Sequence, residues 1–106
     1  MFARIVSMRL KPSTQAEFTQ KIEKEIVPTL RRQQGFKDEI VFVVPNGTEA
    51  VAISLWESRE NAETYNRATY PEVHKTLTNL VEGTPEVRTF EVGYSTFHKI
   101  AARAAA

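Results

Sequence analysis

The order of the hydrophobic patterns along the chain is the feature that most limits its fold. Alternating apolar and polar residues predict strands, whereas apolar residues repeating about every four positions predict helices. In order, the patterns predict a strand at 2–10, a helix over 14–35, strands at 36–44 and 49–57, a helical region over 58–82 and a strand at 85–97. This is the βαββαβ order of a ferredoxin-like α+β fold, with two helices on one face of a four-stranded antiparallel sheet.

Short-range signals place the ends of the first helix. Ser13 or Thr14 is expected to cap its start with a side-chain oxygen, and Gly35 to end it in the left-handed conformation that glycine adopts freely. Pro28 lies within the helical pattern. Because proline lacks a backbone N–H and crowds the preceding turn, it predicts a kink or an early end there.

Turn residues divide the second half of the chain in the same way. The stretch "VPNGTE" separates two strand-like segments and predicts an antiparallel hairpin. Ser58 is a candidate cap for the second helical region, and Pro71 suits the first position of a renewed helix within it. Gly83 and Pro85 are expected to end that helix.

The predicted sheet is apolar on both faces. Ile40, Phe42 and Val44 alternate with Val41 and Val43, so neither side of this strand is polar. Two helices cover only one face, and an uncovered apolar face usually marks an interface. A two-fold interface covers the same patch on both subunits. We therefore expect a homodimer that pairs through the open sheet face into an α+β barrel.

Composition excludes several classes of function. The 14 Lys and Arg nearly balance the 13 Asp and Glu, so there is no basic footprint for nucleic acid. No stretch approaches the ~20 apolar residues of a membrane span, and the absence of cysteine rules out thiolate chemistry. The start of the chain does not resemble a secretion signal, so we expect a cytoplasmic protein.

The length of 106 residues suits one domain, which we place at residues 1–100. The Ala-rich stretch at 101–106 is expected to be a disordered tail.

Four stretches together resemble a known family: "ARIVSMRLKP", "QGF" at 34–36, "ISLWESRENAETY" and "YPEVHK". Over about residues 2–98 the chain resembles the antibiotic-biosynthesis-monooxygenase-like domains of the dimeric α+β barrel superfamily. The resemblance implies that fold and a homodimer. It leaves the activity open, because the superfamily includes cofactor-independent oxygenases of polycyclic aromatic or quinol-like substrates, haem-degrading enzymes and non-oxidative enzymes.

His74 is the candidate catalytic residue, because a helical projection places it on the shoulder of an apolar face beside aromatic residues. An imidazole there could act as acid, base or polar anchor, and the alternative is a solvent-facing histidine. Trp56, Tyr65 and Tyr70 are the candidates to line a substrate pocket, with packing in the core as their alternative role. His98, at the end of the last predicted strand, is interpreted as structural.

Three functions follow in order. The first is a dimeric protein with a pocket for an aromatic or apolar metabolite; if it is catalytic, we expect a cofactor-independent monooxygenase that needs no cofactor and no metal. The second is a non-catalytic ligand- or protein-binding domain, which a pocket well below ~300 Å³ would favour. The third is haem binding and degradation, since the haem-degrading branch carries an iron-ligating histidine where this chain has His74. That branch also has an asparagine on the first strand and a tryptophan near the position of Tyr65, which this chain lacks.

Overall fold

The computed structural model describes residues 1–100, so the predicted tail at 101–106 lies outside the described residues. The elements, in order, are β1 (Phe2–Leu10), α1 (Gln15–Lys21), a π-helical turn (Ile22–Ile26), α2 (Val27–Arg31), β2 (Phe36–Val43), β3 (Glu49–Trp56), α3 (Arg59–Ala68), α4 (Tyr70–Leu77) and β4 (Val81–Glu91). The sheet is antiparallel with the strand order β2-β3-β1-β4, and the helices pack on one face. The predicted ferredoxin-like arrangement is confirmed.

The irregularity expected from Pro28 is present, but it lies one turn earlier and does not end the helix. The N–H of Val27 bonds to the carbonyl of Ile22, five residues back, which widens the helix just before the proline. This wider turn gives the proline ring room that a regular α-turn lacks. The α1–π–α2 segment therefore runs on to Arg31 and keeps its apolar stripe against the sheet.

The predicted side-chain cap of this helix is wrong. Thr14 occupies the cap position, but its hydroxyl donates to the carbonyl of Lys11 instead of accepting a bond from the first turn. Ser13 adopts a positive φ of 62° in the preceding turn. By contrast, the cap at Ser58 is confirmed, since its Oγ accepts from the N–H of Asn61 at 3.2 Å.

Gly35 is needed for two reasons. Its φ of +81° is the left-handed conformation predicted for the end of the helix. In addition, a Cβ at this position would overlap the side chain of Asn61, so the absence of a side chain lets the start of α3 approach. This contact brings α3 close to the point where β2 begins.

The boundary between the second helical region and the last strand differs from the prediction. Helix α4 begins at Tyr70, with Pro71 in its first turn as expected, but it ends at Leu77. Val81 already pairs with Leu10, and β4 ends at Glu91. A bulge between these paired positions absorbs Gly83 and Pro85 within the strand. An edge strand tolerates both residues at a bulge, so they do not mark a loop here.

One face of the sheet packs against the helices, and the other is open in the chain. The core on the packed face includes Phe18, Leu30 and Trp56. On the open face, Phe42 is 54% exposed and Phe90 is 42% exposed. The predicted apolar character of both faces is confirmed. Across residues 1–100, no helix combines the length and the apolar character needed to cross a membrane.

Candidate functional site

A mainly apolar cavity lies between the packed face of the sheet and the helices. Its apolar lining comes from β1, the π-helical turn and α4. Its polar lining residues are Arg4, Glu39, Ser54, Tyr65, Tyr70 and His74. The space that a water molecule could enter is about 30 Å³, because these large side chains fill most of the interior.

Three of the polar residues form a row across neighbouring strands. Arg4 on β1 pairs with Ser54 on β3, and Ser54 pairs with Glu39 on β2. A bulge at Lys37 sets this register, because it places two residues of β2 opposite one of β3. Phe36 and Glu39 consequently lie on the same face, although strict alternation would separate them. The bulge therefore turns Glu39 towards the cavity.

Arg4 is a buried cation, only 3% exposed. Its Nη2 donates to Oδ1 of Asn66 at 2.8 Å. Its Cζ lies 4.0 Å from the centre of the Tyr70 ring and 5.3 Å from that of Tyr65, within the range of cation–π attraction. Its Nε is also buried but has no hydrogen-bond partner within the described part of the chain. One donor of the guanidinium is therefore unused.

Glu39 faces Arg4 across the cavity without forming an ion pair. Burial raises the pKa of the Glu39 carboxyl from 4.5 to about 8, while the positive charge of Arg4 opposes that rise. Its Oε1 is buried and has no hydrogen-bond partner among residues 1–100. At neutral pH this carboxyl is mostly protonated, and it can release its proton slightly above neutrality. A group of this kind in a cavity is a candidate acid or base.

The aromatic side chains form a continuous stack that ends at the cavity. Trp56 is fully buried, and its ring centre lies 4.9 Å from that of Tyr65. Tyr65 contacts Tyr70 with ring centres 6.2 Å apart, and Tyr70 contacts His74 at 6.1 Å. Burial, as the largest cause, raises the pKa of Tyr65, so this side chain stays a neutral phenol. The stack fixes the orientation of the rings that border the cavity.

The four residues predicted from the sequence are thus placed close together. Tyr65, Tyr70 and His74 line the cavity, the last two half-buried. Trp56 lies behind Tyr65 and donates its Nε1 hydrogen to Oγ of Ser54 at 2.8 Å, so it supports the lining from behind. Their roles towards a ligand stay predictions.

Sequence reasoning missed Arg4 and Glu39. The signal for Arg4 was present, because alternation already placed this charged residue on the same face as the apolar side chains of β1. The position of Glu39 depends on the bulge in β2, for which the sequence carries no turn or glycine signal.

The second histidine lies away from the cavity. The ring of His98 contacts the carboxylate of Asp38, on the open side of the sheet. Within residues 1–100, no three histidine, aspartate or glutamate side chains come together as potential metal ligands.

Sequence comparison identifies the family. The profile of the antibiotic biosynthesis monooxygenases matches residues 1–77, from β1 to the end of α4. The chain belongs to the antibiotic biosynthesis monooxygenase family. The matched residues include all six polar residues of the cavity. Comparison with curated protein sequences gives no match.

Solved structures share the fold of this antibiotic biosynthesis monooxygenase domain. A monooxygenase from the ActVA-Orf6 gene of Streptomyces coelicolor, in complex with nanaomycin D, is 19% identical, with a TM-score of 0.76 and 92% of each chain covered. SnoaB, a cofactor-independent oxygenase from Streptomyces nogalater, is 16% identical, with a TM-score of 0.72 over 90% of this chain and 95% of the other. Rv0793 from Mycobacterium tuberculosis is 17% identical, with a TM-score of 0.68 over 90% and 97%.

Proposed function

We propose that this protein is a cofactor-independent monooxygenase of phenolic or quinol-like aromatic compounds. The observation that carries the proposal is that Arg4, Glu39, Tyr65, Tyr70 and His74 converge on one otherwise apolar cavity. An apolar, aromatic lining suits a planar ring system, and the few polar groups suit its oxygen substituents. Membership of the family, and the oxygenases among its structural neighbours, support the same assignment.

The reaction balances without an external reductant. A methylene group activated by two aromatic rings reacts with one molecule of dioxygen to give a ketone and one molecule of water, so the substrate supplies all the electrons. Removal of one C–H proton gives a carbanion delocalised onto a ring oxygen, and this anion transfers electrons to dioxygen. The resulting hydroperoxide loses the second C–H proton and breaks its O–O bond. One oxygen atom stays in the product carbonyl and the other leaves as water.

Two protein groups divide the proton transfers in this proposal. The Glu39 carboxylate takes the C–H proton, because its raised pKa makes it a stronger base than an ordinary carboxylate. Arg4 stabilises the negative charge that develops on the substrate oxygen, since a buried cation acts strongly in an environment that excludes water. His74, on the opposite wall, serves as the polar anchor or acid that protonates the departing oxygen.

The space of about 30 Å³ is well below the ~300 Å³ of a typical ligand site. Substrate binding therefore requires Tyr70 and His74 to move outwards. Both are half-buried, and both are on the short helix α4. The same small volume favours a second candidate function, a non-catalytic ligand- or protein-binding domain, which needs no such opening.

Oxygen consumption with anthrone tests the proposed function. We expect one dioxygen consumed per anthraquinone formed, above the spontaneous rate, and a rise in melting temperature when anthrone is added without turnover under anaerobic conditions. His74→Ala is expected to lower kcat at least tenfold. The control is His98→Ala, which changes the other histidine, away from the cavity, and should leave kcat within about twofold.

Each other outcome separates the alternatives. Stabilisation by anthrone without oxygen uptake would favour the non-catalytic binding domain. An intense haem absorption band that forms with the wild type and is absent in His74→Ala would favour haem binding. If a panel of quinols and polycyclic aromatics gives neither stabilisation nor oxygen uptake, the monooxygenase assignment fails.

We also propose that the chain forms a homodimer through the open sheet face. Its support is the apolar patch that includes Ile40, Phe42 and Phe90, all more than one-third exposed in the single chain. Light scattering should give twice the 12.0 kDa of the chain. Phe42→Lys should reduce this mass to that of one chain, because it places a charge in the centre of the patch. Thr19→Lys on the exposed side of α1 is the matched control, and a dimer unaffected by Phe42→Lys would reject this interface.

A further inference from the structure

We propose that the groove between α3 and β4 is a subsite that binds a carboxylate group of the substrate through Arg4 and Arg59. The inference rests on the proposed function and extends it by assigning the substrate to the class of aromatic carboxylates. The ring system would occupy the central cavity, and the carboxylate would lie in the groove.

The groove is separate from the central cavity and larger in this structure. Its volume is about 180 Å³. The apolar side chains on its walls are Phe2, Ala62 and Val87, and its polar side chains are Arg4, Arg59, Glu63, Asn66 and Thr89. It exists because α3 covers β1 and β3, while the packed face of the edge strand β4 is left partly exposed: Val87 is 40% exposed.

Arg4 lines both the groove and the central cavity. On the groove side, its Nη2 bonds to Asn66, which is itself a groove residue. On the cavity side, its Cζ stacks over the ring of Tyr70. Its guanidinium therefore lies at the junction of the two spaces. A single ligand that filled the cavity and extended into the groove would pass this side chain.

The guanidinium of Arg4 has no resident counter-ion. The ion pairs formed among residues 1–100 include neither Arg4 nor Arg59. Glu39, the carboxyl that acts on Arg4, is mostly protonated at neutral pH, and the Nε of Arg4 lacks any partner. Buried charges are normally paired because their desolvation is costly. An anion supplied by a ligand would remove this imbalance.

The chemistry of the groove favours a carboxylate. A guanidinium binds a carboxylate through two parallel N–H···O bonds, a planar geometry that a hydroxyl cannot reproduce. Arg59 adds a second guanidinium, whose Cζ lies 5.3 Å from the centre of the Phe2 ring at the groove wall. The exposed Glu63 contributes the opposite charge, so the two arginines leave the groove with a net positive charge.

Isothermal titration calorimetry with matched ligands tests the subsite. The probes are 2-naphthoate and 2-naphthalenemethanol, which share a ring system but differ in charge. We expect 2-naphthoate to bind at least about tenfold more tightly, since charge-assisted hydrogen bonds are stronger than neutral ones. Arg59→Gln should weaken 2-naphthoate binding about tenfold and the alcohol less than twofold. Arg67→Gln, an exposed arginine on the same helix outside the groove, should change neither affinity.

The subsite is rejected if the two ligands bind equally, if Arg59→Gln and Arg67→Gln have the same effect, or if 2-naphthoate does not bind. These outcomes are distinct from failure of the proposed function. Oxygenation of anthrone without any preference for a carboxylate would reject the subsite alone. Tight, Arg59-dependent binding of 2-naphthoate, with no oxygen uptake on any quinol or anthrone, would support the subsite and reject the oxygenase.

Discussion

Glu39→Gln is expected to lower kcat for anthrone oxidation by at least about a hundredfold, the usual effect of removing a general base. Glutamine has nearly the same shape but cannot accept the C–H proton. The Arg4 guanidinium, the aromatic stack and the apolar lining would remain. KM should therefore change much less than kcat, which steady-state oxygen-electrode measurements would resolve.

The pH dependence gives an independent signature of the same group. Only the ionised carboxylate can act as a base, and burial raises the pKa of Glu39 to about 8. We therefore expect kcat/KM to rise about tenfold per pH unit below pH 8 and to level off above it. In Glu39→Gln this rise should disappear. A wild-type profile that is flat from pH 6 to pH 9 would contradict the assignment of Glu39 as the base.

Stability measurements exclude unfolding as the cause of lost activity. Since folding raises the pKa of Glu39, the protonated form stabilises the fold, and this contribution is present below about pH 4.5 and lost as the pH rises through about 8. Between pH 5 and pH 9, the free energy of unfolding of the wild type should fall by up to about 4 kcal/mol relative to Glu39→Gln. The variant is therefore expected to be the more stable protein at high pH.

Trp56→Ala is expected to destabilise the fold by about 3–5 kcal/mol, as for other large-to-small changes at fully buried aromatic positions. Trp56 is 0% exposed, and its ring contacts Phe36 and Tyr65. The change leaves a cavity behind Tyr65 and removes the hydrogen bond to Ser54. Because small domains have only about 5–15 kcal/mol of stability, much of the total would be lost.

Urea unfolding followed by circular dichroism measures this effect. Phe97→Ala is the matched control, because Phe97 is also aromatic but is 86% exposed, and its replacement should cost less than about 0.5 kcal/mol. A cost below about 1 kcal/mol for Trp56→Ala would show that the ring is not a core element. Trp56→Phe should recover part of the stability, since a phenyl ring would still contact Tyr65.

Local signals predicted the fold well where local chemistry decides the structure. The left-handed glycine at position 35, the cap at Ser58 and the restart of the helix at Pro71 are all confirmed. The exceptions are Pro28, which a π-helical turn accommodates, and Gly83 with Pro85, which lie within a bulged edge strand. In each exception, packing or pairing with a distant segment outweighs the local preference.

The candidate site was predicted only in part. Tyr65, Tyr70 and His74 were found because helical spacing places them near one edge of an apolar face. Glu39 was not found, because one extra residue in β2 reverses the face on which the following side chains lie. The partner strand fixes that extra residue, and no pattern within β2 itself indicates it.

The sequence by itself determined the order of the elements, the two apolar faces of the sheet and the family, because these depend on short-range periodicity and on stretches read directly from the chain. Only the tertiary structure decided that Arg4 and Glu39 share one cavity. Their meeting depends on the antiparallel register across three strands and on the bulge. It also decided their charge states, since the pKa of a carboxyl is set by the water excluded and the charges brought near it, which follow from packing.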